Sequence, residues 1–209
     1  MKLVLIRHGR QSSPLCNVNV DLSDEGREQA RLLAPRLTVW NPDLIYTSDL
    51  IRAKQTAEIL FGKEAKFLVR EELNEISFGD MTGRADKDNA VEFKEYFAAK
   101  KRKEANLRLP GGECPTEVFD RAVKIVEEAI ASGAKTVVFV THGGVIRALV
   151  AGLLGLGAGQ MLRIADSLEH TSVTELTYSR EAGCFSLERL NDYAHLEGRP
   201  ELCRTAWAK

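Results

Sequence analysis

Short apolar runs alternate with amphipathic segments along nearly the whole chain, and no other feature constrains the fold as tightly. Leu3 to Ile6 is the first such run, and it stops abruptly at Arg7-His8-Gly9. Leu44-Ile45-Tyr46, Ala65 to Val69 and Thr136 to Val140 follow, the last being the cleanest buried strand in the sequence. Between them lie stretches with helical spacing. Ser23 to Arg36 opens on a capping serine, carries Ala30, Leu33 and Leu37 on one side, and should end or bend at Pro35. Thr47-Ser48-Asp49 is expected to cap a helix bearing Ala53, Ala57 and Leu60. Thr116 to Ala131 places Val118, Ala122, Ile125 and Ala129 on one face and meets a stop at Gly133. Val145 to Leu154 reads as a further helix, and Val173 to Tyr178 with Phe185 to Leu190 as a terminal hairpin.

Strands that alternate with helices predict an α/β domain whose largely parallel sheet is covered on both faces. One stretch breaks the pattern. From Glu71 to about Arg108 the chain is polar, and Pro110-Gly111-Gly112 closes it with loop chemistry. It reads as an insertion over roughly 71–110, packed on the body of a single domain 1–209 and partly helical around Asn89 to Lys103. Its Lys94 to Lys103 run is expected to be a solvated helix face.

Composition removes several function classes. Lys and Arg total 29 against 30 Asp and Glu, a net charge of -1, so no extended polyanion such as nucleic acid or an anionic membrane is expected as partner. No apolar run approaches the roughly 20 residues that span a bilayer. Met1-Lys2 and the four apolar residues after them read as a strand rather than a signal peptide. Cys16, Cys114, Cys184 and Cys203 are scattered, with no C-x-x-C pair. Neither a disulfide framework nor a zinc site is expected, and a reduced, cytoplasmic location is the default. Cys16 and Cys114 are expected to be inert thiols.

In parallel sheets ligands bind beyond the carboxyl ends of the strands, and three strands here end in one kind of chemistry. The first delivers Arg7-His8-Gly9, the second leads through Thr47-Ser48-Asp49 to Arg52, and the fourth delivers Thr141-His142-Gly143-Gly144. Side by side, these ends bring two arginines, two histidines and two helix N-termini to one crevice. Such a crevice suits a phosphoryl group, whose charge is spread over oxygens that guanidinium forks match in pairs. A neutral imidazole can act as nucleophile, and a second can donate to the same oxygens. The leaving alkoxide needs a proton, for which Glu75 in Leu73-Asn74-Glu75-Ile76 is the natural candidate. Taken singly, each of these residues is more often structural; their joint occurrence at three strand ends is what points to a site. His170 and His195 lie outside the strand ends and are expected to be structural, although His170, at the entrance to a strand, stands where it could approach the pocket.

The same pieces resemble the histidine phosphatase superfamily, the phosphoglycerate mutase-like group. The likeness is carried by Leu3 to Gly9, Leu22 to Ala30, Tyr46 to Ala57, Leu73 to Gly79, Pro110 to Glu113 and Thr141 to Arg147, in that order along nearly the whole chain. It implies a three-layer α/β/α sandwich and a phosphohistidine mechanism without metal or other cofactor. His8 would be the nucleophile, Arg7, Arg52 and His142 the phosphate pocket, and Glu75 the proton donor. Gly9, Gln11, Asn17 and Gly143 complete the phosphate-binding set it implies. The implied substrate is a small phosphorylated metabolite, and oligomeric state is left open. Pro110-Gly111-Gly112-Glu113 resembles the broad-specificity and α-ribazole phosphatase branch, and the insertion lacks the run of extra arginines that marks the mutases. A phosphatase is therefore favoured over a cofactor-dependent phosphoglycerate mutase or a non-catalytic phospho-ligand module. One departure stands out: Arg10 occupies the position where the family usually has Glu, and Asn17 comes later than usual, so loop 10–17 and its substrate contacts are left open.

Overall fold

The computed structural model describes residues 1–206. Six strands, β1 (Lys2–Arg7), β2 (Leu44–Thr47), β3 (Leu68–Val69), β4 (Thr136–Thr141), β5 (Val173–Ser179) and β6 (Cys184–Asp192), form one sheet in the order β3-β2-β4-β1-β5-β6. The pairs β3/β2, β2/β4 and β4/β1 are parallel. β5 runs antiparallel to both β1 and β6. The expected terminal hairpin is therefore present, turning near Gly183, whose φ of 66° suits glycine. The third strand is shorter than its sequence run, since only Leu68 and Val69 pair.

Among the described residues seven α-helices follow in chain order: α1 (Asp24–Leu37), α2 (Ile51–Phe61), α3 (Asp86–Glu92), α4 (Lys94–Lys101), α5 (Pro115–Ala131), α6 (Gly143–Leu153) and α7 (Met161–Ile164). None is long and apolar enough to cross a membrane. Alternate side chains of a strand point to opposite faces, which divides the core in two. Leu3, Leu5, Val137 and Phe139 pack with Val118, Ala122, Ile146 and Leu149 of α5 and α6. Val4, Ile6, Val138 and Val140 pack with Ala30, Leu33, Ala53 and Ala57 of α1 and α2. Those two layers on either side of the sheet are the three-layer α/β/α sandwich.

Local chemistry explains the starts of α1 and α5, and the structure corrects that of α2. The Ser23 side chain accepts the Gly26 N–H at 3.1 Å to cap α1, and the helix runs two residues past Pro35. The second helix departs from its expected start: Leu50 is the N-cap of α2 and no side chain caps it. Ser48 is drawn elsewhere, into the pocket described below. Cys114 begins α5, where Glu117 Oε2 accepts its backbone N–H at 3.0 Å. Within 71–110 the helical part is two short helices, α3 and α4, broken at Phe93, rather than one stretch from Asn89 to Lys103.

Parallel β2, β4 and β1 all end at one edge of the sheet. Because β5 is antiparallel to β1, its entrance lies at that same edge, with Val173 opposite Ile6. Four chain segments thus open onto one crevice.

Candidate active site

The crevice is a pocket of about 590 Å³ lined by Arg7, His8, Asn17, Arg52, Glu75 and His170 among others. His8, buried just beyond β1, is its centre. Its Nδ1 lies 2.6 Å from the Gly9 carbonyl. A carbonyl can only accept, so Nδ1 carries the proton and Nε2 carries the lone pair. The Arg52 Nε–H donates to that Nε2 at 3.2 Å. Burial, then the charges of Arg52 and Arg7, hold the His8 pKa well below its ordinary value, so the ring is neutral near pH 7.

Arg52 is 2% exposed, a rare burial for a guanidinium. Its Nη1 donates to the Val18 carbonyl at 2.9 Å and its Nη2 to Asn17 Oδ1 at 3.1 Å. The first turn of α2 aims it across the pocket at His8. Arg7 reaches the Leu168 carbonyl through Nη1, and its Nε is buried with no partner among the described residues. Burial and the nearby Arg204 lower its pKa to about 9, which leaves it cationic at neutral pH. A buried guanidinium with an uncommitted N–H favours an anion beside it.

His142 follows β4 as N-cap of α6 and is fully buried. Its ring centroid is 4.9 Å from that of His8. Nε2 shares a 2.7 Å hydrogen bond with Ser48 Oγ, and Nδ1 is buried without a partner among the described residues. Burial and Arg52 depress its pKa well below the usual value. Glu75 is half-buried on the insertion side, where Oε1 accepts Gly144 N–H at 3.0 Å and Ile76 N–H at 2.9 Å. The carboxylate thus sits on the N-terminus of α6, where helix charge favours an acid side chain.

The remaining residues of the expected set have the following surroundings. The Gly9 N–H donates to Thr56 Oγ1 at 3.0 Å. Glycine is required there by a close approach, since a Cβ would stand 2.5 Å from the Gly26 carbonyl oxygen. Gln11 lies at the rim, but its amide donates to the Ser13 and Leu15 carbonyls at 2.9 and 2.8 Å and folds its own loop. Asn17 has both ends of its amide committed, to Arg52 and to the Ile76 carbonyl at 3.2 Å, so it orients an arginine. Gly143 is the first residue of α6, and a Cβ there would stand 3.5 Å from Arg7 Nε. The unusual Arg10 faces Glu25 of α1 at 3.5 Å on the pocket rim, which balances its charge.

Sequence reasoning missed several contributors. Ser48 reads as a helix cap in the sequence, and Thr56 carries no signal of its own. Arg121 in the middle of α5 gave no signal, yet it binds the Glu72 and Glu75 carbonyls at 2.5 and 3.3 Å and pairs with Glu113 at 2.9 Å. Glu113 in turn accepts Ser77 N–H at 2.7 Å, tying the Glu75 segment to α5. His170 lies in the pocket wall, 5.8 Å from His8 between ring centroids.

A sheet edge that gathers imidazoles and guanidiniums around one small pocket, with a carboxylate across it, defines a phosphoric monoester hydrolase built on histidine. The chain belongs to the histidine phosphatase superfamily (branch 1), whose sequence model matches residues 3–193. It is 35% identical to a glucosyl-3-phosphoglycerate phosphatase of Mycolicibacterium vanbaalenii over 169 residues, covering 74% of this chain and 75% of that protein. A mycobacterial glucosyl-3-phosphoglycerate phosphatase solved with inorganic phosphate superposes with a TM-score of 0.83 at 30% identity, over 93% of this chain and 98% of that one. The α-ribazole phosphatase of Shigella flexneri gives 0.78 at 26% identity, over 92% and 97%.

Proposed function

We propose that this protein hydrolyses small phosphorylated metabolites through a phosphohistidine on His8, with Glu75 as proton donor and no metal. The observation that carries the reading is the His8 ring itself: Nδ1–H held by the Gly9 carbonyl at 2.6 Å, and the Nε2 lone pair turned to the Arg52 N–H at 3.2 Å inside the pocket. Arg7, Arg52, His142 and the N–H of Gly143 hold the peripheral phosphoryl oxygens. Gly143 opens α6, so its N–H has no acceptor within the helix.

In the first step Nε2 gives its electron pair to phosphorus, the P–O ester bond breaks, and the departing oxygen takes the proton of the Glu75 carboxylic acid. The positive charge that appears on the ring is stabilised at Nδ1–H by the Gly9 carbonyl. In the second step water loses a proton to the Glu75 carboxylate and attacks phosphorus, returning the electron pair to Nε2 and releasing phosphate. Arg52 serves both steps: its Nε–H moves from the lone pair to a phosphoryl oxygen as the P–N bond forms. In this reading the chain acts as a single domain with 71–110 as the lid, which supplies Glu75 and one wall of the pocket.

The test is p-nitrophenyl phosphate hydrolysis with and without a chelator, together with rapid quenching of a radiolabelled substrate. The expected result is chelator-insensitive turnover and an acid-labile, base-stable phosphoprotein that is lost in His8→Ala. An H8A protein turning over at the wild-type rate would falsify the assignment.

A further inference from the structure

His8 has an imidazole on each side. His142 comes from the β4 side; the other, His170, comes from the entrance to β5 and has no part in the mechanism above. It is 8% exposed, lines the pocket, and meets the His8 ring nearly edge-on, with the planes at 62°. Glu169 stands behind it, also 8% exposed. Its Oε1 accepts the His170 backbone N–H at 2.9 Å and lies 3.7 Å from His170 Nδ1.

The turn that presents this ring is strained. Thr171 is fully buried with a φ of 55°, in a region that β-branched residues avoid. Three bonds hold it there. Thr171 Oγ1 donates to the His170 carbonyl at 2.7 Å, and His195 Nε2–H donates to the same hydroxyl at 2.9 Å. The Thr171 N–H reaches the His8 carbonyl at 3.4 Å. Strain that persists beside a nucleophile is held by its surroundings, and here those surroundings fix a third imidazole against the phosphoryl position.

We propose that His170 is a third imidazole of the phosphoryl pocket: when a tetrahedral dianion enters, the ring takes up a proton from solvent, donates Nε2–H to a peripheral oxygen and turns Nδ1–H to Glu169. This rests on the phosphoryl-pocket reading of the same site. No bond to phosphorus is made or broken by His170; one solvent proton converts a neutral ring into an imidazolium. Arg7, His8 and Arg10 from the first strand and its loop face the ring, as does Arg204 from the C-terminal segment. Together with burial they keep the ring neutral without an anion. A dianion adds two negative charges among these cations, and Glu169 accepts from the second N–H.

The experiment is nitrogen-15 NMR of the four histidine rings of the full chain near pH 7, titrated with sodium sulfate, which stays a dianion throughout. His170→Gln assigns the ring; His195→Gln, His142→Gln and His8→Gln assign it by elimination should H170Q fold poorly. The expected result is that sulfate moves both His170 ring nitrogens to the imidazolium position. In H170Q, kcat/KM for p-nitrophenyl phosphate falls about 10- to 100-fold near pH 7, the loss expected for one charge-assisted hydrogen bond. Glu169→Gln shifts the sulfate-induced protonation to lower pH. A His170 ring that stays neutral in sulfate-saturated protein, or sulfate that does not bind, overturns the proposal. The NMR readout needs no turnover. Protonation without hydrolysis keeps this inference and rejects the phosphatase reading, and hydrolysis with a neutral His170 does the reverse.

Discussion

Arg52 and His8 share one hydrogen bond, Nε–H to Nε2 at 3.2 Å, while the other two ends of the guanidinium are tied to Asn17 and to the Val18 carbonyl. One planar fork thus fixes a loop and caps the lone pair of His8. Lysine carries its donors on a single nitrogen and cannot reach three acceptors spread around a planar fork. Arg52→Lys is therefore expected to lower kcat/KM at least about 100-fold, nearly as far as Arg52→Ala. Asn17→Ala, which loosens only one end of the fork, should cost about 10-fold. Steady-state kinetics on p-nitrophenyl phosphate checks the ranking, and an R52K enzyme near wild-type activity would contradict it.

Glu75 can be displaced without being replaced. A Cβ on Gly144 would stand 2.5 Å from Glu75 Oε1 and 2.7 Å from Ile76 Cγ2. Gly144→Ala should push the carboxylate off the N-terminus of α6. Alkyl phosphates, whose leaving groups need a proton, are expected to lose about 100-fold in kcat, and p-nitrophenyl phosphate much less. Comparing the two substrates separates a lost proton donor from general damage, because a misfolded pocket would slow both equally.

Arg121 holds the Glu72 and Glu75 carbonyls and Glu113 from the middle of α5. Arg121→Ala leaves those acceptors without their donor. Stability to urea should fall by about 1–3 kcal/mol, and kcat should fall more than KM rises. Retained stability with lost activity would show that Arg121 reaches the chemistry rather than the fold.

Acid should unfold this protein through its histidines. Burial lowers His8, His142 and His170 well below the ordinary histidine value, with nearby arginines and neighbouring imidazoles adding to it. Burial lowers His195 to about 4. The unfolded chain therefore binds more protons than the native one below about pH 6.5, so stability is full above that pH and is lost as pH falls through the depressed native values. The melting temperature should drop by about 5–10 °C between about pH 7.5 and pH 5. Sulfate should recover part of the drop, since an anion that binds only the folded pocket stabilises it by mass action. A melting temperature flat over that range would mean that the pocket histidines do not resist protonation.

Much of the fold and site was legible in the residues because the signals are local. Leu3 to Ile6 and Thr136 to Val140 are apolar on both faces, which only a strand covered on both sides tolerates, and Ser23 announces its helix by its own hydroxyl. The ends of β1 and β4 could then be read as His8 and His142 without knowing their distance. Local signals failed where a side chain answers to a distant partner. Ser48 looks like a cap until His142 lies 2.7 Å away.

His170 marks the boundary most clearly. The sequence by itself determined that β5 is a strand and that a histidine stands before it. It could not determine that β5 pairs antiparallel to β1, because strand direction is settled by hydrogen bonds between segments more than 160 positions apart. That pairing turns the entrance of β5 to the edge where the parallel strands end. Periodicity and composition made the strands and the core; the direction of one edge-side strand, a tertiary choice, placed a third imidazole beside His8.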